Sequence, residues 1–440
     1  MKLTINNFPV HEMRFGEQDS YVNGVLTNNK EKALDVVRGV KDIVDPDLEI
    51  VNPGDMVRLC PVKEVIEPRS REDGRCIFPG VTGDTTYCGE GEVNALKNCC
   101  VTVVGKHWGG FQDGVIDMGG EGAKYVYFSQ LINLVLVSDT VEEFEKREQQ
   151  KKNHALRWAG MLLAEHVGSI VRGQTAPEKE EYEFEPVSKR SPEVQALPSV
   201  VLVMQFQSQM ENPGYNDLYY GWDTNRMVPT FSSPTEILDG AVISGSFMPC
   251  SSKWSTYDIQ NAPIIKELMN EHGKTLNFLG VITSNLNVAL EQKERSGIIV
   301  ANIAKNLGAD SAIVAEEGYG NPDADFIICL VDLEDQGIKT IGLTNECTGR
   351  DGASQPLVSL DEKANAIVSC GNVSELIELP AMRVIGELEA LGRDGLSGGW
   401  GGDEILGPSV RPDGSIIMEN NSMFCGDQVL GWSIKTMKDF

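Results

Sequence analysis

Glu316 and Glu317 close a short apolar run, Ser311-Ala-Ile-Val-Ala315, and open a glycine-rich turn, Gly318-Tyr-Gly-Asn-Pro-Asp323. Two carboxylates at the mouth of a strand can hold an ammonium group or serve as general acid and base. The glycines allow a backbone to approach a ligand closely, and Tyr319 between them is a candidate binding residue. The turn also has a plainer reading as a helix start. Asn321-Pro322 puts proline at a first helical position with acids behind it, which accounts for Asp323 and Asp325 better than for Glu316 and Glu317. A second loop, Asn345-Glu-Cys-Thr-Gly-Arg-Asp351, sets Glu346, Arg350 and Asp351 between apolar elements. Arg350 can grip a carboxylate through two parallel hydrogen bonds, or form a structural ion pair with Asp351 or Glu316. A third stretch, Ala241-Val-Ile-Ser-Gly-Ser-Phe-Met-Pro-Cys250, runs from apolar residues into small ones. Cys250 is a candidate nucleophile, yet no histidine lies near it in sequence to activate it. The serines around it form no Gly-x-Ser-x-Gly elbow.

These loops need a scaffold that brings them to one rim. From Ser199 onward, apolar runs such as Val200-Val-Leu-Val-Met204, Phe278 to Thr283, Ser311 to Ala315 and Ile338 to Thr344 alternate with amphipathic stretches, Ile259 to Glu271 and Asn287 to Leu307 among them. That rhythm predicts a parallel, doubly covered sheet, with ligands beyond the carboxyl ends of its strands. Ala241 to Ile243 is read as one of those strands. Residues 1–138 carry short β-branched runs bounded by Gly, Pro and Asn, which predict strands. The Gly-rich loop at Asp117 to Gly122 reads as a structural turn. Ser138-Asp139 reads as a helix N-cap opening a long helix to about Val171. The expected fold class is therefore α/β and β: an N-terminal mainly-β domain, a long connecting helix and a C-terminal doubly wound, mostly parallel sheet. The expected divisions are 1–138, the helix 139–172, a charged linker 173–198, the α/β domain 199–384 and a Gly-rich β segment 385–440.

The net charge of −27 over 440 residues argues against nucleic acid and against an anionic membrane surface as partners. No apolar run of about eighteen residues predicts a membrane span, and the N-terminus lacks a signal-peptide core, so a cytoplasmic location is expected. None of the ten cysteines forms a Cys-x-x-Cys pair, so no metal site is expected. Reduced, buried thiols fit best.

Several stretches together resemble the component B subunits of the glycine, sarcosine and betaine reductases. They are Pro61-Val-Lys-Glu-Val-Ile-Glu-Pro-Arg69, Ile77-Phe-Pro-Gly80, Gly110-Phe-Gln-Asp-Gly-Val-Ile-Asp-Met118, Pro234-Thr-Glu-Ile-Leu-Asp-Gly240, Glu316 to Asp323 and Gly349-Arg-Asp-Gly-Ala-Ser-Gln355. The resemblance implies an oxidoreductase subunit that acts on a small ammonium carboxylate within a hetero-oligomer. Its partner subunit would carry a selenocysteine or cysteine. In that family the precursor cuts itself before a cysteine that becomes a pyruvoyl group, and the pyruvoyl is thought to hold the substrate amine as an imine. Here Ser246-Phe247 stands where an Asn-Cys pair belongs. Phe247 cannot attack a carbonyl or become pyruvoyl, so neither self-cleavage, nor a pyruvoyl group, nor any other bound cofactor is expected. A quaternary ammonium forms no imine and needs no such carbonyl. Phe247, Trp254 and Tyr319 can line a cation box, with Ser246 beside them, Glu316 or Glu317 balancing the charge and Arg350 taking the carboxylate. Alternatively Phe247 only fills volume, and the chain is a repurposed paralogue acting as a binding or scaffold subunit.

Overall fold

A computed structural model describes residues 1–106, 113–147, 149–210, 216–245, 248, 250–346, 357–388, 408–424 and 429–431. Ser246, Phe247, Arg350 and Asp351 lie outside the described residues, as does the side chain of Glu346.

The N-terminal third contributes β1 (Lys2–Pro9), β2 (Ile43–Val51), β3 (Val57–Ile66), β4 (Arg69–Arg71), β5 (Gly91–Lys97), β6 (Cys99–Gly105), β7 (Gly114–Asp117) and β8 (Ile132–Thr140). One sheet runs β7-β3-β6-β8-β2. A second is built on β1, β5 and β4, with β9 (Glu178–Glu183) along its edge. The charged segment expected as a linker thus supplies a strand. β1 offers it a backbone ladder, and Glu180 is held by Asn7 and Lys266. Ser138 and Asp139 are not a helix cap. β8 continues through Thr140 because β2 and β6 pair with it on either side. The helix begins at Glu142, and its main body is α1 (Gln149–Gly168). Gly168 lies so close on the Arg69 backbone that any Cβ would collide. The helix therefore packs on the sheets.

The second half contains β10 (Ser199–Phe206), β11 (Thr230–Ser232), α2 (Thr256–Asn261), α3 (Pro263–Glu271), β12 (Asn277–Asn285), α4 (Leu290–Leu307), β13 (Ser311–Glu316), α5 (Asn321–Asp335), β14 (Lys339–Glu346) and β15 (Ile367–Asn372). The stretch expected as one helix from Ile259 to Glu271 is two, divided at Ala262-Pro263, because proline cannot continue the first. The spatial order is β11-β12-β10-β13-β14-β15, parallel throughout except for the edge strand β11. Val242–Ile243 is not part of this sheet. Two residues are too few to span it, and they pair antiparallel with Leu218–Tyr219 instead. A late strand, β16 (Arg383–Gly386), returns to β3.

Two-residue alternation sorts the parallel sheet into two faces. Leu202, Met204, Phe206 and Ala315 pack with Trp254, Ile259, Ile265 and N-terminal residues such as Ile66 and Leu96. Val201, Val203 and Val314 pack on the opposite side with Val300, Ala304, Phe326 and Leu330 of α4 and α5. The first face therefore looks across the seam to the N-terminal sheets.

That seam contains buried ion pairs. Arg58 forks onto Asp117, Lys63 pairs with Asp113, Arg69 with Glu67, and Arg71 with Asp239. Arg69 also donates to the carbonyls of Leu238 and Gln260, at 2.6 and 3.0 Å, which ties β4 to the second half of the chain. The charges of Pro61 to Arg69 thus mostly join elements far apart in sequence. No helix is long and apolar enough to cross a membrane, and no group of metal-ligating side chains converges among the described residues.

Candidate functional site

The chain enters the sheet at β10, turns to β12 on one side and returns past β10 to β13 on the other. The strand order reverses between β10 and β13. In open α/β sheets a crevice forms beyond the carboxyl ends at such a reversal. Gln205 and Gln207 stand at the end of β10, and Glu316 and Glu317 at the end of β13.

Register separates the two glutamates. Gln205 lies opposite Glu316 and Ala315 opposite Leu343. Glu316 therefore shares a face with Gln205 and Thr344, while Glu317 shares the other with Phe206 and Asn345. Glu316 is fully buried, and Thr344 Oγ1 donates to its Oε2 at 2.6 Å. Burial, reinforced by Asp323, pushes its carboxyl well above the usual range. Asp323, the charge beside it, accepts from the backbone N–H groups of Gly320 and Val358 at 2.6 and 2.9 Å. Glu316 thus ties β13 to β14 beside the start of α5. The expected Asn321-Pro322 helix start is present there.

Glu317 faces the seam. Its Oε1 accepts from the backbone N–H of Trp254 at 3.0 Å and its Oε2 from that of Gln207 at 2.9 Å. The second carboxyl is Asp217, whose backbone N–H donates to Gln207 O at 3.0 Å. Asp217 Oδ1 accepts from the Gly245 N–H, while Oδ2 has no donor. Both carboxyls are fully buried. Burial and then the charge of Glu317 push Asp217 well up. Burial also raises Glu317, against the hydrogen bonds that favour its ionised form. Asp217 is thus the member driven further toward its neutral form, while the backbone donors favour the ionised form of Glu317. Arg157, on α1, stands near enough to favour Asp217 ionisation, but its Nε is committed to Glu64 Oε2 at 3.0 Å. Glu64 Oε1 in turn accepts from the Thr256 N–H at the start of α2. Strands, helix and loop thus converge on one charged centre.

Polar atoms without partners surround it. Both amide atoms of Asn345, both of Gln207 and Nε1 of Trp254 are buried without a hydrogen bond, while Oε1 of Gln205, also without one, lies on the Glu316 face. Each such atom costs about 1–3 kcal/mol, so a cluster of them at a topological switch point is a candidate site for a polar ligand. Trp254 is fully buried, with its ring edge-to-face against Phe206 at 5.6 Å. Tyr319 is buried on the adjoining glycine turn.

Cys250 is elsewhere in character. It sits in the core against Gly114 and Phe424, its thiol donates to Asn421 O at 3.0 Å, and burial, with Asp113 adding, drives its pKa up. It presents a thiol where nucleophilic attack requires a thiolate. Asp217 and Arg157 did not stand out in the sequence. Asp217 follows a Gly/Asn/Pro-rich stretch, and Arg157 looks like one more charge on an amphipathic helix. The usable signal was Asn153 and Arg157, four residues apart and both buried on the inward side of α1.

The family described as glycine/sarcosine/betaine reductase component B subunits matches residues 1–438. The chain is 70% identical, over the full length of both, to the betaine reductase complex component B subunit alpha of Peptoclostridium acidaminophilum. It is 39% identical, again over both full lengths, to the glycine reductase complex component B subunits alpha and beta of that organism. It is 37% identical to the organism's sarcosine reductase complex component B subunit alpha, with 95% of each chain covered. No solved structure matches the chain.

Proposed function

The chain belongs to the glycine/sarcosine/betaine reductase component B subunits, and from that premise we propose that it binds a small ammonium carboxylate, betaine foremost, without a covalent handle. The observation that carries this reading is the buried Asp217–Glu317 pair at the switch point, with unpartnered polar atoms around it. One negative charge in a site walled by Trp254 suits a cation that has no N–H of its own.

The chemistry follows from the substrate. A quaternary nitrogen already carries the charge that makes a tertiary amine a good leaving group. A selenolate or thiolate of a partner subunit attacks the methylene carbon. A carbon–selenium or carbon–sulfur bond forms, the C–N bond breaks, and its electron pair leaves with the neutral amine. In this scheme the chain orients the methylene carbon, excludes water and keeps a compensating charge beside the cation. The nucleophile comes from the partner, in keeping with the buried, protonated character of Cys250.

The absence of self-cleavage is part of the proposal. Ser246-Phe247 occupies the position at which the resemblance calls for Asn-Cys. The relative at 70% identity is named for an alpha subunit alone, whereas the relatives at 39% and 38% are named for alpha and beta together. The test is to purify the chain with its partner subunit, follow amine release from betaine, and take an intact mass under denaturing conditions. Betaine-dependent release of trimethylamine by an unbroken chain is expected. Two fragments ending and starting near Ser246 would overturn the non-covalent reading. A chain that recruits no thiol- or selenol-bearing partner would instead favour a repurposed binding subunit.

A further inference from the structure

An ammonium carboxylate has two charged ends, and the Asp217–Glu317 pair accounts for only one. We infer that Asn345 and Trp254 form the cradle for the substrate carboxylate, holding it through neutral N–H donors. This rests on the reading of the site as an ammonium carboxylate site and adds which residues recognise the anionic end.

Asn345 is completely buried, and neither Oδ1 nor Nδ2 has a hydrogen-bond partner. The last paired residues are Ala315 and Leu343, and continuing that register by two residues sets Asn345 beside Glu317, a lateral step of about 4.8 Å. Trp254 touches the same carboxylate through its backbone, where its N–H donates to Glu317 Oε1 at 3.0 Å, while its indole Nε1–H is buried without an acceptor. Two donors flanking one carboxylate, each with nothing to donate to, are a liability in the empty protein and are satisfied by an anionic ligand.

Neutral donors suit this position. A guanidinium so near Glu317 would pair with it and cancel the charge that attracts the cation. An amide and an indole bind the carboxylate without doing so. Arg157, near Asp217, donates through Nε to Glu64 and keeps its buried Nη2 without a partner. The consequence is selectivity: the site rewards a ligand that carries a carboxylate close to its cationic nitrogen, and a bare cation gains only half of the contacts.

The test is calorimetric titration of the full chain in its complex with betaine and with tetramethylammonium, which keeps the cation and lacks the carboxylate. Asn345→Ala removes one donor, and Trp254→Phe removes the indole N–H while keeping a ring against Phe206. Each variant should weaken betaine binding by about ten- to a hundredfold and leave tetramethylammonium binding within about twofold. Trp254 is fully buried in the core, so Trp254→Phe should lower the melting temperature by the volume it removes, and the discriminating readout is the loss of betaine affinity with tetramethylammonium binding kept. A purely structural tryptophan would lose melting temperature and keep betaine affinity. If both variants bind betaine as wild type does, or lose both ligands equally, the cradle is wrong while the cation site stands. If wild type binds neither probe, the ammonium carboxylate reading fails, and the cradle with it.

Discussion

Replacing Asp217 by asparagine should leave the protein as stable as wild type near the unfolded carboxyl pKa of about 4 and increasingly more stable than wild type as pH rises to neutral and above. In the native pair, Asp217 Oδ1 receives the Gly245 N–H, Glu317 receives two backbone N–H groups, and Asp217 Oδ2 has no donor. A shared proton is therefore needed between two buried carboxyls. In Asp217→Asn the new amide would keep its carbonyl on the Gly245 N–H and offer a permanent N–H to Glu317, reproducing the protonated pair without taking a proton from solution. The folded carboxyl pKa is raised, so between the unfolded value and the folded value the native state binds more protons than the unfolded state. Wild-type stability must fall across that window as pH rises, by about 1.4 kcal/mol per pH unit from this proton, and Asp217→Asn removes that slope. Asp217→Ala is the contrast. It strands the Gly245 N–H and leaves Glu317 without its donor, at about 1–3 kcal/mol for each. Urea unfolding of the three proteins from pH 5 to pH 8 reads both effects. An Asp217→Asn protein that parallels wild type across that range, or that loses as much stability as Asp217→Ala, would refute the shared proton.

Other consequences are simpler to read. Burial, with Arg157 adding, lowers the His154 pKa to about 4. The unfolded chain therefore takes up a proton first as pH falls below about 6.5, and His154 should contribute about 3 kcal/mol of destabilisation by pH 4, which His154→Leu should abolish in a stability-against-pH profile. Arg69→Leu should cost about 3–5 kcal/mol, because it leaves Glu67 short of a buried partner and two carbonyls without donors; thermal unfolding reads the loss. Gly318 has φ +91° and lies against Met248. Gly318→Ala should lower the melting temperature and weaken betaine binding together, since the strain sits directly after Glu317.

The parallel strands were legible because buried runs such as Val200 to Met204 are apolar on both faces, and turn residues bound them. Their spatial order was not, because strand pairing joins residues distant in sequence. The switch point between β10 and β13 emerges only in the folded sheet. The adjacent glutamates were legible as a pair, but alternation sends Glu316 to the helices and Glu317 to the seam. Val242–Ile243 looked like another parallel strand, yet its pairing is set by a short hairpin partner. Nothing local marks Lys63, Glu64, Glu67 and Arg69 as buried, because most of their partners lie on elements far along the chain. The segment around Glu180 looked like a solvated linker for the same reason.

In a crystal structure of the full complex soaked with betaine, the trimethylammonium group is expected against the Asp217–Glu317 pair at the carboxyl ends of β10 and β13 and the carboxylate toward Asn345 and the Trp254 indole, with no covalent bond to the chain. Betaine bound elsewhere, or linked to the protein near Ser246-Phe247, would contradict this placement.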